Sequence, residues 1–153
     1  MQEAGAAVPA FEMPTDNADT VSSENLKGQK YVIYFYPKDD TPGCTTEAKG
    51  FTELASDFDA IDVKVIGVSK DTLAKHEKFR TKHDLSVLLA SDEEGAACEA
   101  FGVWVEKNMY GRKYMGIERA TFLVDAEGIV RNVWRKVKVK GHVDAVLEAA
   151  KAL

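Results

Sequence analysis

Cys44 is the residue whose surroundings are best suited to chemistry. Thr41, Pro42 and Gly43 precede it directly. Proline is favoured at the first position of a helix, so the sequence predicts a helix that begins at Pro42, with Thr41 as its N-cap and Cys44 in its first turn. There the unpaired amides and the positive end of the helix dipole favour thiolate over thiol. We therefore predict a reactive cysteine; a small buried hydrophobic side chain is the alternative interpretation.

The residues that lead into this helix have expected roles of their own. The Thr41 hydroxyl is expected to accept a hydrogen bond from an amide two or three residues on, with that of Cys44 as a candidate. Gly43 leaves the backbone open to close approach by a ligand. The backbone amides of Gly43 and Cys44 can hold a polar or anionic oxygen next to the sulfur, which predicts a substrate-binding role.

Other residues with chemical potential give weaker signals. Cys98 lies on a predicted short helix near Phe101 and is expected to be inert and buried. His76 and His83 are seven positions apart on one predicted helix, about 10 Å along its axis, and His142 lies far along the sequence, so no metal site is predicted and the three histidines are expected at the surface or as helix caps. Asp39 and Asp40 are expected to be solvated loop acids. Two cysteines are too few for a zinc site built from cysteine alone.

Composition excludes several classes of protein. The 153 residues contain 20 basic and 25 acidic side chains, a formal net charge of −5, which argues against nucleic acid or an anionic membrane as the main partner. The basic segment 131–140 is expected to be a solvated strand in which Val137 and Val139 alternate with lysines.

Residues 1–18 contain no lysine or arginine, unlike a signal peptide, and no apolar run is long enough to span a bilayer. A reducing cytoplasm and free thiols are expected.

The pattern of elements predicts one α/β domain over residues 1–153. The apolar run 31–36, ended by Pro37, predicts a strand buried on both faces and therefore central in a sheet. Five residues share one helical stripe after Pro42: Cys44, Ala48, Phe51, Ala55 and Phe58. Further strands are predicted at 20–23, 63–68, 87–89, 121–124 and 129–134, and further helices at 71–83, 94–101 and 142–150. A right-handed crossover makes the first two buried strands parallel, and the final hairpin makes the sheet mixed.

Residues 34–45 (YFYPKDDTPGCT) closely resemble the active-site loop of the peroxiredoxins, which carries a Pro-x-x-x-Thr-x-x-Cys signature. Residues 116–125 (GIERATFLVD) and 101–104 (FGVW) are similar to the subgroup called bacterioferritin comigratory protein or PrxQ. The resemblance implies a thioredoxin-like fold, a central mixed sheet flanked by helices. It also implies a thiol peroxidase that reduces hydrogen peroxide and alkyl hydroperoxides without a cofactor or metal.

The resemblance also implies a role for each matching residue. Cys44 would be the peroxidatic cysteine, whose thiolate attacks a peroxide oxygen and becomes a sulfenic acid. Thr41 would place its hydroxyl near the sulfur and the substrate, and Pro37 would shield the site and shape the loop. Arg119 would stabilise the thiolate and the charge that develops as the O–O bond breaks.

The chain departs from the subgroup in its resolving cysteine. Lys49 occupies the position where many members carry it, and the alternative position, around Phe79-Arg80, has no cysteine either. Cys98 is the one remaining candidate, and the sequence does not establish whether it comes within reach of Cys44. We therefore expect a one-cysteine cycle in which an external thiol, from thioredoxin, glutaredoxin or glutathione, reduces the sulfenate. The oligomeric state expected is a monomer, or at most a weak dimer.

Two other functions stay open at this point. A redox sensor or chaperone-like protein would use the same oxidisable thiol to signal rather than to turn over peroxide. A cysteine hydrolase needs a histidine beside Cys44, and none is near in sequence, although one could approach in space.

Overall fold

A five-stranded mixed sheet forms the centre of the computed structural model, which describes residues 2–17 and 19–153. The strands are β1 (Glu12–Pro14), β2 (Thr20–Ser22), β3 (Lys30–Phe35), β4 (Val63–Ser69), β5 (Leu88–Ser91), β6 (Trp104–Met109), β7 (Arg112–Ile117), β8 (Ala120–Val124) and β9 (Val130–Trp134). The helices are α1 (Pro42–Glu53), α2 (Ala55–Ala60), α3 (Leu73–His83), α4 (Ala96–Ala100) and α5 (His142–Lys151).

The strand order in the central sheet is β5-β4-β3-β8-β9. Strand β3 pairs in parallel with β4 and antiparallel with β8, so it lies in the middle, as its apolar sequence predicts. The sheet is therefore mixed, and the prediction of an α/β fold of this kind is confirmed. The pairs β1–β2 and β6–β7 form two separate antiparallel ribbons.

The two faces of the sheet carry separate apolar clusters, because successive side chains of a strand point to opposite faces. On β3, Ile33 and Phe35 belong to one cluster, while Val32 and Tyr34 belong to the other. The cluster with Tyr34 takes in buried residues of α1, α2, α3 and α5. The cluster with Phe35 takes in residues of β1, β2 and α4. The central sheet thus separates the surroundings of α1 from those of α4.

Two local predictions differ from the structure, and one element was not predicted. The helix after Pro42 divides at Leu54 into α1 and α2, but backbone hydrogen bonds from both Asp57 and Phe58 to the Leu54 carbonyl carry the chain onward. The predicted strand around Val137 and Val139 is wrong: Lys136 has a φ of +48°, which turns the chain. The ribbon β6–β7 went unpredicted. Its Tyr110-Gly111 turn has two residues with positive φ, as type I′ hairpin turns require.

No helix within residues 2–17 and 19–153 is both long and apolar enough to cross a membrane.

Candidate active site

Cys44 lies in the first turn of α1, as its sequence surroundings predict. Pro42 is the first residue of the helix, and Thr41 is an N-cap with extended backbone (φ −94°, ψ 155°). The side chain of Cys44 is 1% exposed and packs in the cluster that contains Tyr34 and Phe51. A reagent that reaches its sulfur must therefore be small or must displace neighbouring side chains.

Arg119 supplies the hydrogen bond to this sulfur. Its Nη2 atom lies 3.3 Å from the Cys44 Sγ, although the two residues are 75 positions apart. The arginine follows β7, and its own carbonyl accepts a hydrogen bond from the Val137 amide at 3.0 Å. The turn at Lys136 that replaces the predicted strand thus helps to hold Arg119 in place.

The same guanidinium binds a second acid, Glu47. Its Nη1 atom donates to the Glu47 Oε1 at 2.8 Å, so Arg119 bridges Glu47 and Cys44. Burial opposes the charge of Arg119, but the attraction of Glu47 and Cys44 outweighs it and raises the pKa of the guanidinium. A permanent cation beside the sulfur attracts negative charge that develops there during a reaction. Because guanidinium does not lose its proton in proteins, it cannot serve as the base that a cysteine hydrolase requires.

The structure gives a reason for a glycine at position 43 that differs from the predicted one. A Cβ atom at this position would lie 3.1 Å from the Nη2 of Arg119. The missing side chain therefore makes room for the guanidinium beside Cys44. The first-turn amides of Gly43 and Cys44 lack an acceptor within the helix, as helix geometry requires, and their binding of substrate stays a prediction.

Thr41 does not cap the helix with its side chain, and that prediction is wrong. Its hydroxyl instead donates to the Lys38 carbonyl at 2.9 Å, while its own carbonyl accepts from the Thr45 amide at 2.8 Å. The hydroxyl oxygen keeps its lone pairs as acceptors. Pro37 is exposed and lies two residues after the end of β3, and its shielding of the site stays a prediction.

A buried polar pair behind the arginine escaped the sequence reasoning. Glu47 is fully buried, and its Oε2 atom, which has no hydrogen-bond partner in the described part of the chain, lies 3.9 Å from the Nε2 of His142. The same nitrogen is 2.8 Å from the Thr121 hydroxyl. One signal was available: Glu47 sits three positions after Cys44 and one before Ala48, on the helical face that carries the apolar stripe.

Burial acts in opposite directions on the two members of this pair. It raises the pKa of Glu47 to about 7, against the attraction of Arg119. Burial, together with repulsion by Arg119, lowers the pKa of His142 to about 4. Between pH 4.5 and 6.5 the folded pair holds one proton, on Glu47, whereas the unfolded pair holds one proton on the histidine. The pair as a whole therefore adds almost no pH dependence to stability in this range.

Single substitutions are expected to expose the two opposing pH dependences. In Glu47→Gln, the lowered pKa of His142 means that the unfolded state binds more protons, so the free energy of unfolding rises from pH 4 to 6.5. In His142→Gln, the raised pKa of Glu47 means that the folded state binds more protons, so stability falls as the pH rises from 4.5 to 7. Each change is on the order of 3 kcal/mol, at about 1.4 kcal/mol per pKa unit.

Urea unfolding at four pH values between 4.5 and 7 measures both slopes against the wild type. The exposed Glu53 ends the same helix, so Glu53→Gln is the matched control and should follow the wild-type curve. Equal slopes for Glu47→Gln and His142→Gln would contradict the opposed titration of the pair.

Cys98 lies in a different part of the molecule. It is fully buried on α4, in the cluster on the opposite face of the central sheet from Cys44. Its amide donates to the Asp92 carboxylate at 2.8 Å. Burial, and then Asp92, raise the pKa of its thiol well above the ordinary range, so this sulfur is a poor nucleophile.

The prediction that the histidines and the loop acids lie at the surface is partly wrong. His76 is fully buried and Asp39 is 8% exposed, and the two side chains are in contact. His142 is also buried. Asp40 is exposed, as predicted, but it pairs with side chains of α3. Within the described ranges, no group of three or more potential metal-ligating side chains comes together.

Comparison with known proteins identifies close relatives. Residues 4–133 match the AhpC/TSA family. The chain is 50% identical over 145 residues to a putative peroxiredoxin bcp of Coxiella burnetii, covering 95% of this chain and 96% of that protein. It is 49% identical over 149 residues to the peroxiredoxin Bcp of Bacillus subtilis, covering 97% and 95%.

Solved structures agree with the sequence comparison. The bacterioferritin comigratory protein of Xanthomonas campestris, studied for alkyl peroxide reduction, superposes with a TM-score of 0.90 at 45% identity, over 99% of this chain and 97% of that one. A mutant PrxQ of Xylella fastidiosa has a TM-score of 0.93 at 35% identity, with the same coverage. These relatives have the fold that the resemblance of residues 34–45 implies.

Proposed function

The chain belongs to the AhpC/TSA family and is a peroxiredoxin, a thiol-dependent peroxidase, and we propose that its reaction runs through Cys44 with no second catalytic cysteine. The observation that carries this proposal is the Arg119 guanidinium, 3.3 Å from a cysteine sulfur in the first turn of a helix. Peroxide is the substrate and an external thiol is the reductant.

In the oxidative step the Cys44 thiolate attacks one oxygen of the peroxide. An S–O bond forms, the O–O bond breaks, and the leaving oxygen takes a proton from water and departs as water or alcohol. The sulfur is thereby oxidised to a sulfenic acid. Arg119 stabilises the thiolate before the attack and the charge that develops on the oxygens during it.

The neighbouring residues would orient the peroxide. The Thr41 hydroxyl donates to the Lys38 carbonyl, so it can accept the hydrogen bond of the peroxide O–H group. The amides of Gly43 and Cys44, at the start of α1, can donate to a peroxide oxygen. Pro37 would limit access by water from the exposed side of the loop.

Resolution by an external thiol follows from where the other candidates lie. Cys98 packs on the opposite face of the sheet from Cys44, so a disulfide between them would require the fold to open. Lys49 is exposed on α1, and Phe79-Arg80 on α3 offers no sulfur. The reductant thiolate would attack the Cys44 sulfenic acid, release water and form a mixed disulfide, which a second thiol then reduces. Thioredoxin, glutaredoxin and glutathione are the candidate donors.

Treatment with one equivalent of hydrogen peroxide is expected to give a Cys44 sulfenic acid and no disulfide. Mass spectrometry after trapping with a sulfenic-acid reagent should show the adduct on Cys44 and an unmodified Cys98. The Cys98→Ser variant is the control and should give the same adduct and keep peroxidase turnover. An intramolecular Cys44–Cys98 disulfide in the wild type would overturn the one-cysteine cycle while leaving the peroxidatic role of Cys44 intact.

Three wider properties complete the proposal. We propose one domain over residues 1–153, because both apolar clusters share the central sheet. Residues 1 and 18 lie outside the described residues. A monomer or weak dimer is supported by the small exposed apolar area. The large exposed hydrophobic side chains of the described residues are four on the β6–β7 ribbon, few for the roughly 800 Å² per partner of a stable interface. The free thiols fit a cytoplasmic location.

A further inference from the structure

Two histidines of α3 hold the loop that leads into the active-site helix. His76 and His83 are seven positions apart, two turns of helix, so both lie on the face of α3 that meets this loop. The Nδ1 of His76 is 2.6 Å from the Oδ2 of Asp39, and the Nε2 of His83 is 2.7 Å from the Oδ1 of Asp40. Two adjacent loop acids are thus bound by one helix face.

The contact between His76 and Asp39 fixes the protonation state of His76. This side chain is fully buried, and its Nε2 atom lies 2.9 Å from the Ala90 carbonyl of β5. The Asp39 carboxylate and the Ala90 carbonyl are both acceptors, so each ring nitrogen must carry a hydrogen. Burial opposes this charge, but the hydrogen bond and attraction of Asp39 outweigh it and raise the pKa of His76, with Asp71 adding to the effect. The imidazolium therefore joins the loop to both α3 and β5.

Asp39 is held from several directions at once. Its Oδ1 accepts a hydrogen bond from the Tyr36 hydroxyl at 2.5 Å, next to β3. Its amide donates to the Oδ2 of Asp71 at 2.8 Å, and Ser69 of β4 donates to the same oxygen at 2.7 Å. A buried network in which every member has a partner is rigid, and removal of one member costs more than its own bond. The loop is consequently fixed at Asp39, two residues before Thr41.

We propose that His76 is a positioning residue of the peroxidase reaction: by holding Asp39 it holds the Thr41 hydroxyl where the peroxide meets Cys44. The proposal rests on the proposed role of Cys44. Asp40 has a φ of +59°, so the chain turns sharply between the fixed residue and Thr41, and a shift of Asp39 passes directly to the threonine. Displacement of about 1 Å in a reacting group can cost up to 10²-fold in rate.

The contact between His83 and Asp40 is more exposed to solvent and supplies the control. Asp40 is 41% exposed and pairs with both His83 and the 62% exposed Lys82. Exposed ion pairs add little to the rigidity of a loop, because water competes for both partners. His83→Gln therefore changes the same helix face and the same type of contact without touching the buried network.

Two substitutions of His76 separate its two hydrogen bonds. An asparagine amide occupies the place of Nδ1 and can still donate to Asp39, whereas a glutamine amide occupies the place of Nε2 and can donate only to Ala90. We expect His76→Gln to oxidise about tenfold more slowly with hydrogen peroxide in a single turnover, and His76→Asn and His83→Gln to stay within about threefold of the wild type. Stopped-flow fluorescence of Trp104 and Trp134 or thiol titration follows the oxidation.

A second measurement distinguishes positioning from collapse of the site. Alkylation of Cys44 by iodoacetamide needs the thiolate but not Thr41, so its rate should be unchanged in all three variants. A parallel loss of alkylation, or equal oxidation rates for His76→Gln and His76→Asn, would overturn the proposal. If His76→Gln does not fold, Asp39→Ala removes the acceptor of the same contact and should slow oxidation by at least the same factor; a wild-type rate would overturn the proposal. Full turnover by Cys44→Ser would instead refute the proposed role of Cys44.

Discussion

Replacing Cys44 with serine is expected to reduce peroxide turnover to the uncatalysed background, a loss on the order of 10³-fold or more. A serine hydroxyl beside Arg119 is not ionised at neutral pH and attacks the O–O bond poorly. Serine is close to cysteine in size, and Arg119 can donate to its buried hydroxyl oxygen, so the fold should persist. The measurement is peroxide consumption with thioredoxin, glutaredoxin and glutathione supplied in turn as reductants.

The second cysteine provides the internal control for this experiment. Cys98→Ser alters a thiol of similar burial on the other face of the sheet, and it should keep turnover near the wild-type rate. Turnover that saturates with one of the three donors distinguishes the enzyme from a redox sensor, which would be oxidised once per molecule. Equal loss of activity in Cys44→Ser and Cys98→Ser would contradict the one-cysteine cycle.

The local features of the site could be predicted because they depend on neighbours in sequence. Pro42 sets the first turn of α1 through its fixed φ and its missing amide hydrogen, and it requires no knowledge of the rest of the fold. The apolar run 31–36 likewise marks a strand buried on both faces. The position of Cys44 at the start of the helix that follows the central strand is predicted from these two signals alone.

The partners of Cys44 could not be derived in this way. Arg119 lies 75 positions from Cys44 and 72 from Glu47, and no periodicity connects them. Only the resemblance of residues 116–125 to a known family pointed to the arginine. Its second partner, Glu47, was missed because a glutamate in a helix is exposed by default, and burial becomes visible only when the facing elements are known.

The same default explains the wrong prediction for His76 and Asp39. Each residue taken alone is polar and lies on a helix or a loop, so a solvated surface is the ordinary interpretation. Their burial depends on mutual pairing across 37 positions of sequence. The spacing of seven between His76 and His83 was visible, but it indicates a shared helix face and not what that face contacts.

The exposed ribbon β6–β7 shows a different limit of sequence reasoning. Its burial pattern is irregular, with Glu106 and Lys113 exposed along its length, so no clear alternation of apolar and polar residues marks the strands. The strongest local signal was Gly111 after Tyr110, at the turn. A ribbon that packs little apolar surface leaves little trace in the pattern of hydrophobic residues.

Arg119→Met is expected to lower kcat/KM for hydrogen peroxide by about 10²- to 10³-fold, the range for loss of a group aimed at developing charge. Methionine keeps much of the side-chain length but removes the donors to both Cys44 and Glu47. The uncharged variant leaves Glu47 buried without its cation, so the carboxyl group is expected to bind a proton. Circular dichroism and the urea midpoint establish that the variant is folded before its rates are compared.

Arg119→Lys separates charge from geometry. Lysine keeps the positive charge but has a single ammonium group, which cannot form the planar two-sided bridge between Cys44 and Glu47. Above its pKa of about 7 the buried Glu47 is ionised, and the ammonium should then move toward it and away from the sulfur. We therefore expect Arg119→Lys to lose at least about tenfold in kcat/KM, and the Glu47→Gln substitution added to it to recover part of that loss. A wild-type rate in Arg119→Lys would mean that charge alone suffices and that the bridge to Glu47 has no part in holding the arginine against Cys44.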